Sequence, residues 1–404
     1  MSKNFESATL RSSTIVNNRK KKGLKVYNGG LGANPLKQHS SLIKCLKYNA
    51  DKKEYLPPTG LVDLNKLINQ RFNSQYSLIG NGLKELIFTL LLGWEEDVYL
   101  VTPCWVSYIE QTKILNKKTY FIKTNVNNNY KLTAELLEKN VQNNYNNKIL
   151  FLNNPTNPTG AVYSKEELIQ IADICLKYDI TVFADEIYMD IVHDNFKTVP
   201  FNTLYDKTIT GSSLSKNFGC GGYRLGWITF SKSLEKLYNK LHIIASSTYS
   251  CASHCLQYVA YQALLYSPEV NKFIDTQKFI FSNIGITVMN QFKNLGIITS
   301  TPQGAWYIFL DFSNFVSKFK KNNINNDQEL CTKLIEDIGF VTVPGSSFGY
   351  NENFNLRYSF VDLYFHNENN CIDNLNYKQV DVAKMSFKII DGINQLGLWL
   401  NNIF

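Results

Sequence analysis

The chain has 404 residues, enough for a large core and two domains. It is 44% hydrophobic and 19% charged, the balance of a globular protein, and no apolar run reaches the ~18–20 residues that cross a bilayer. A formal charge of +8 is modest at this length and gives no ground for a nucleic-acid partner.

The first 24 residues read as a polar, flexible arm carrying the one dense basic run, Arg19 to Lys22. That arm lacks the apolar block of a secretory signal, so a cytoplasmic protein is expected. In VYNGGLGANPLKQ the glycines at 29, 30 and 32 precede Pro35. The spacing is not that of a dinucleotide-binding loop, and turn chemistry alone explains it. A helix is expected over Ser40–Tyr48. Pro57, Pro58 and Gly60 then mark a turn before a helix with Leu61, Leu64, Leu67 and Ile68 on one face. Tyr55, just before that turn, reads from spacing alone as a buried turn tyrosine.

IGNGLKELIFTLLLG is a strand, a turn and an apolar helix from about Leu83, whose free amides would suit a phosphate. DVYLV runs into TPCWVSY, so Trp105 is either core or a ring placed to stack at a strand end. KILFLNNPTNPTG pairs an apolar strand with a polar turn holding Asn157. A Ser164–Glu167 capping box opens the next helix, and strand ITVFAD ends in Asp185, with Tyr188 three residues on. A carboxylate at the end of a buried strand is costly to ionise unless a cation faces it. The alternation of strand and helix is that of an α/β protein with ligands at the strand ends.

In GSSLSKNFGCGGYRLGW (211–227), Lys216 follows two serines, precedes glycines at 219, 221 and 222, and lies eight residues before Arg224. An amine that can form a Schiff base, a glycine-rich turn and a guanidinium suit a phosphorylated carbonyl cofactor. A plain turn with solvated charges is the other reading. The chain is mostly helical from Trp227 to about Phe292, and from TPQGAWYIFLDF onward short strands and helices suggest a second domain. Only five of the 42 basic residues are arginine, so Arg224 and Arg357 mark places where a forked donor matters, or chance. Cys251, His254 and Cys255 form the one tight Cys/His group, in a helical apolar stretch that favours packing over metal binding; no metal site is expected. The asparagine-rich tracts read as surface loops, and 365–377 as a polar insertion.

Over roughly 25–404, the motifs N-P-T-G, D-E-x-Y, S-x-S-K and R-x-S-F together resemble class I/II aminotransferases of the aspartate aminotransferase fold. The resemblance implies the α/β architecture of fold-type-I pyridoxal phosphate enzymes. That is a large domain with a mostly parallel sheet flanked by helices, plus a smaller α+β domain built from both chain ends. The expected division is an arm at 1–24, a joining segment at 25–46, a cofactor domain at 47–292 and a small domain at 293–404. In the family pattern Lys216 is the Schiff-base lysine and proton carrier, Asp185 pairs with the ring nitrogen, and Asn157 and Tyr188 bond the ring oxygen. Trp105 stacks on the ring. Ser213, Arg224 and the turn Asn81–Gly82–Leu83 hold the phosphate, joined by Tyr55 of a partner subunit in a homodimer with its site at the interface. Arg357 takes the substrate α-carboxylate, with Gly32 and Asn157 beside it. Leu83 departs from the pattern, since many members have a hydroxyl there and some aspartate-specific relatives a lysine.

The resulting expectation is an aminotransferase exchanging an amino group between an L-amino acid and a 2-oxo acid by a ping-pong mechanism, with aspartate/2-oxoglutarate-type substrates. Alternatives within the fold are an aromatic or broad-specificity aminotransferase, a C–S β-lyase or a cyclopropane-forming synthase. A non-catalytic pyridoxal phosphate-binding protein and a cofactor-bound transcription regulator complete the set; the residues before Val26 are too few for the latter's DNA-binding domain.

Overall fold

A computed structural model describes residues 8–352, 354–365 and 380–402 of the chain. The chain enters through a helix, Ala8–Lys21, and the short strand β1 (Tyr27–Asn28). The helix corrects the expected flexible arm. Ile15 and Val16 pack against Val26, Ile335 and Val341, and the Arg19 guanidinium donates to the Glu336 carbonyl at 2.5 Å. Two apolar residues and one forked donor dock a segment whose composition reads as solvated, and Arg19, Lys20 and Lys21 offset the carbonyl end of its dipole. The insertion expected at 365–377 lies, beyond residue 365, outside the described residues.

Seven strands form the main sheet: β2 (Tyr76–Gly80), β3 (Asp97–Thr102), β4 (Thr119–Lys123), β5 (Lys148–Asn153), β6 (Ile180–Asp185), β7 (Thr208–Ser213) and β8 (Gly226–Phe230). Their order is β2-β8-β7-β6-β5-β3-β4; β3 to β7 are parallel, and β8 runs antiparallel to both neighbours. All but the edge strand β4 are buried on both faces, as their continuous apolar runs require. Alternate residues serve different cores. Leu100, Phe151 and Phe183 pack on one face with the helix Leu83–Gly93, while Tyr99, Leu150, Val182 and Ala184 pack on the other with the helix Lys165–Lys177. Each fully buried Leu, Val or Phe contributes roughly 1.5–3 kcal/mol. The Ser164–Glu167 capping box closes in both directions.

After Trp227 the structure differs slightly from the helical reading: GWITF completes β8 before the helices begin, because its β-branched and aromatic residues fill the slot between β2 and β7. A second, antiparallel sheet orders β12 (Val343–Pro344), β13 (Asn355–Ser359), β10 (Tyr307–Asp311) and β9 (Ile298–Thr299); β11 (Phe340–Val341) pairs with β1. The helix Pro268–Asn294 lies in the core that joins this sheet to the rest, against Trp306, Tyr358 and Phe360. Among the described residues no helix is long and apolar enough to cross a membrane.

Candidate active site

The parallel strands deliver their side chains to one end of the sheet. Trp105 follows β3, Asn157 follows β5, Asp185 closes β6 and Lys216 follows β7. Strand order reverses between β3 and β5, the position at which open α/β sheets leave a crevice. The antiparallel β8 adds a corner. Ser213 pairs with Gly226, and Gly226 with Gly80, so the 214–225 loop returns to the sheet end it left. That loop carries both Lys216 and Arg224, and the same register sets Gly82 beside them.

Two glycines make the corner possible. A Cβ on Gly82 (φ +94°) would stand 2.4 Å from the Arg224 guanidinium, and one on Gly226 would stand 2.7 Å from the Leu83 amide. Arg224 is itself left-handed (φ +54°), a conformation that costs a non-glycine residue roughly 1–2 kcal/mol. Its guanidinium donates to the Gly221 and Asn81 carbonyls at 2.9 and 3.3 Å. The helix Leu83–Gly93 starts at this corner with its first amides unpaired inside the helix.

These groups line a cavity of about 430 Å³. Gly32, Leu83, Trp105, Asn157, Asp185, Tyr188, Lys216, Arg224 and Arg357 all contribute to its wall. Four of the expected residues do not. Gly82 and Asn81 stand behind Arg224. Ser213 is fully buried, its Oγ accepting from the Ser215 amide at 3.1 Å, and Ser215 lines the cavity in its place. Tyr55 is 91% exposed and away from the cavity, which overturns its reading as a buried turn tyrosine.

Asp185 is almost wholly buried. Its carboxylate accepts from the Tyr108 hydroxyl and from the Ile187 amide at 3.1 Å. Burial pushes its pKa up to about 6, against the pull of those two donors and of the Lys216 charge. Next to it Glu186, with one oxygen held by the Phe201 amide and the other unpartnered, is pushed by burial to about 8. The Lys216 amine donates to the Gly32 carbonyl and lies 5.7 Å from the Tyr188 ring centre. Tyr188 and Tyr307 share a hydroxyl–hydroxyl bond of 2.8 Å, and burial holds the Tyr188 phenol far above its ordinary range.

Arg357 is 6% exposed, which rules out the surface reading. It donates to the Gly30 carbonyl at 2.6 Å and to Asn157 Oδ1 at 3.4 Å, and its guanidinium lies 4.9 Å from the Tyr307 ring centre. Its Nε is buried with no partner. Among the described residues no carboxylate pairs with it, and neutral groups hold the fork. Lys84, on the first helical turn after Leu83, adds a further cation to the rim, 5.2 Å from the Trp105 ring centre. Among the described residues that line the cavity, Lys84, Lys216, Arg224 and Arg357 thus outnumber Asp185, an arrangement suited to an anionic ligand.

Sequence reasoning missed Tyr108, Ser215, Tyr307 and Lys84. Tyr108 carried a signal, since one helical turn separates it from Trp105. The Cys/His group is accounted for by packing and local bonds: His254 Nδ1 meets the Glu54 carbonyl at 3.1 Å, and Cys255 meets Ser253 Oγ at 3.3 Å. Among the described residues no three His, Cys, Asp or Glu gather to hold a metal ion.

A family model described as aminotransferase class I and II matches residues 30–362. The probable aspartate/prephenate aminotransferase of Rhizobium leguminosarum bv. phaseoli is 28% identical, over 87% of this chain and 92% of its own. The asparagine–oxo-acid transaminase of Streptococcus mutans is also 28% identical, over 88% and 92%. The solved aspartate aminotransferase of Thermotoga maritima superposes with a TM-score of 0.80 at 22% identity, covering 98% of this chain and 97% of that one; the fold is shared.

Proposed function

The chain belongs to the class I and II aminotransferases, a pyridoxal phosphate-dependent family, and from that premise we propose that Lys216 holds the cofactor for a ping-pong exchange between an L-amino acid and a 2-oxo acid. The donor set fits the cofactor. A primary amine and a buried acid face one cavity, and a glycine-cleared corner presents Arg224 and free helix amides to a phosphate. When bound, the cofactor supplies a carbonyl carbon that accepts the amino group and a ring that delocalises the electron pair left at the substrate Cα.

Lys216 anchors the cofactor and, once its amine is released, moves the proton at the substrate Cα. No histidine lines the cavity among the described residues, so the amine is the base at hand. Asp185 holds a proton on the ring nitrogen; the cationic partner repays the burial that raises its pKa. Tyr188 and Asn157 donate to the ring oxygen, and Trp105 covers a ring face. Arg224, the helix start at Leu83 and Ser215 hold the phosphate, with Asn81 and Gly82 behind Arg224 and Ser213 supporting Ser215 from behind. Arg357 grips the α-carboxylate of every substrate, beside Gly32 and Asn157.

Aspartate/2-oxoglutarate-type substrates are the favoured class, because Lys84 gives the rim a cation beyond those assigned to phosphate and α-carboxylate. The apolar wall of Leu31, Leu83, Trp105 and Tyr307 supports a second, broad-specificity reading that admits aromatic side chains. We place the enzyme in the cytoplasm as a homodimer in which Tyr55 serves the partner's phosphate. The exposure of Tyr55 (91%), Tyr48 (85%) and Val62 (61%) supports that arrangement.

The observation that carries the proposal is the gathering of Lys216, Asp185 and Arg357, from distant parts of the chain, around one cavity. Borohydride reduction of the cofactor-loaded protein should attach pyridoxyl to Lys216 alone, and Lys216→Ala should abolish turnover while the protein stays folded. Label on another lysine, or turnover retained in the variant, would refute it.

A further inference from the structure

One buried polar cluster has no part in the scheme above. Gln277 sits in the middle of the helix Pro268–Asn294 with none of its surface exposed, among Phe273, Ile274, Ile280 and Phe281. An amide placed there is costly unless both of its ends are bonded. Both are. Its Nε2 donates to the Asn217 carbonyl at 2.9 Å, and its Oε1 accepts from Asn34 Nδ2 at 2.5 Å. Asn34 Nδ2 also donates to the Lys216 carbonyl at 2.9 Å, and Asn34 Oδ1 accepts from the Leu36 amide at 3.0 Å. Two consecutive carbonyls at the lysine, in a turn outside any strand or helix, are therefore held by one side chain from the N-terminal segment and one from the long helix.

The same N-terminal segment meets the lysine from the cavity side. The Lys216 amine donates to the Gly32 carbonyl, two residues before Asn34. Gly30, two residues earlier again, accepts from Arg357. During turnover the amine has to travel between the cofactor and the substrate Cα, so its bond to the Gly32 carbonyl cannot hold the lysine throughout. The tie from Asn34 to the Lys216 backbone does not depend on the amine and persists when it leaves.

We propose that Asn34 and Gln277 are positioning residues that lock the Lys216 backbone to the segment Gly30–Asn34. The amine then swings from a fixed base while the substrate-facing wall keeps its place. This rests on the reading of Lys216 as the cofactor lysine. Neither side chain touches substrate or cofactor; both act through Lys216 and its neighbours.

The test uses the cofactor-loaded enzyme and three variants. Asn34→Ala removes the tie at a half-buried loop position. Gln277→Leu removes it inside the core. Gln277→Glu keeps an acceptor for Asn34 but, when ionised, loses the donor to Asn217. Each is read by the pH midpoint of the Lys216-linked absorbance without substrate, by the rate at which cofactor-free protein takes up added pyridoxal phosphate, and by KM and kcat for an acidic and a neutral amino acid. Asn34→Ala should move the midpoint by about half a pH unit or more and raise KM about tenfold for both substrates, the effect of losing a hydrogen bond to a buried group. Gln277→Glu should recover uptake as the pH falls and its carboxyl regains a proton to donate. A folded Asn34→Ala enzyme with wild-type midpoint, uptake rate and KM would overturn the proposal even if Gln277→Leu failed to fold. Borohydride label on a lysine other than Lys216 in the wild type would instead remove the reading beneath it, and the proposal with it.

Discussion

The ends of the main sheet and the segments facing them are held by different means. Asp185 closes a parallel strand, and Lys216 and Asn157 lie three and four residues past two others, so the ladders fix the backbone close to each side chain. Tyr307 and Arg357 stand on the paired strands β10 and β13, whereas Gly30 and Gly32 lie on a loop that side-chain bonds tie to Arg357, Tyr307 and Lys216 across 327, 275 and 184 residues of sequence. The sheet side is preorganised by the fold itself. On the facing side only the Gly30–Gly32 loop depends on a few bonds, and each of these three ends on a group assigned to substrate or to the lysine. Substitutions on the two sides should therefore separate cofactor chemistry from substrate binding.

The sharpest test of the sheet side is Asp185→Ala. If the carboxylate holds the ring proton, its loss should cut kcat by several orders of magnitude, each decade being ~1.4 kcal/mol of barrier. Retention of more than about half the rate would show that the sheet end does not tune the cofactor.

The same residue makes a prediction about the cofactor-free protein. Burial raises Asp185 from 3.8 to about 6, so between those values the folded protein keeps a proton that the unfolded chain has released. Apo stability is then fully present below pH 4, falls as the pH rises through about 6, and is constant beyond, a loss on the order of 3 kcal/mol. Denaturant unfolding of the wild type and Asp185→Asn, both without cofactor, should show that difference opening between pH 4 and 7. Saturating cofactor should close it. Parallel curves for the two proteins would mean that the carboxylate is already compensated in the apo state.

What was legible in the sequence follows the same division. Strands β3, β5 and β6 announced themselves by continuous apolar runs, and their ends by polar turns, so Trp105, Asn157 and Asp185 could be placed by local pattern. Arg357 was legible only through the scarcity of arginine and the family motif, because nothing local says that a β13 residue faces a loop 327 positions away. Tyr307 and Gln277 sit in plain apolar periodicity, where a polar atom aimed at a distant carbonyl leaves no trace. The arm at 8–21 was misread for the opposite reason: its polar composition hid the two apolar residues and the arginine that dock it.

On the facing side the largest expected effect belongs to Arg357→Lys. The charge remains but the fork is lost, which should cost about 2–3 kcal/mol of binding, or roughly 30- to 150-fold in KM. All amino acids and oxo acids should suffer alike, since all carry the α-carboxylate, and cofactor affinity should hardly move. Arg224→Lys should do the reverse, weakening cofactor retention with little effect on KM once cofactor is saturating. If Arg357→Lys weakened acidic substrates alone, the fork would be reading the distal carboxylate and the two ends of the substrate would be exchanged.

The smallest effect is expected at the rim, where the two sides meet. Lys84 belongs to the sheet side by sequence, yet its ammonium reaches the cavity edge over Trp105 rather than the phosphate corner. It is exposed, so its attraction for a second carboxylate is screened and worth at most ~1 kcal/mol, about a fivefold change in affinity. Lys84→Met keeps the apolar stem and removes the charge. It should lower kcat/KM for aspartate and 2-oxoglutarate by roughly that factor, more at low salt than at high, and leave an aromatic amino acid unchanged. Equal losses for both substrates would place the ammonium on something common to them, the phosphate or the α-carboxylate. No loss for either would leave the distal carboxylate without a reader on this chain's rim and favour the broad-specificity reading, in which the apolar wall of Leu31, Leu83 and Tyr307 selects the side chain.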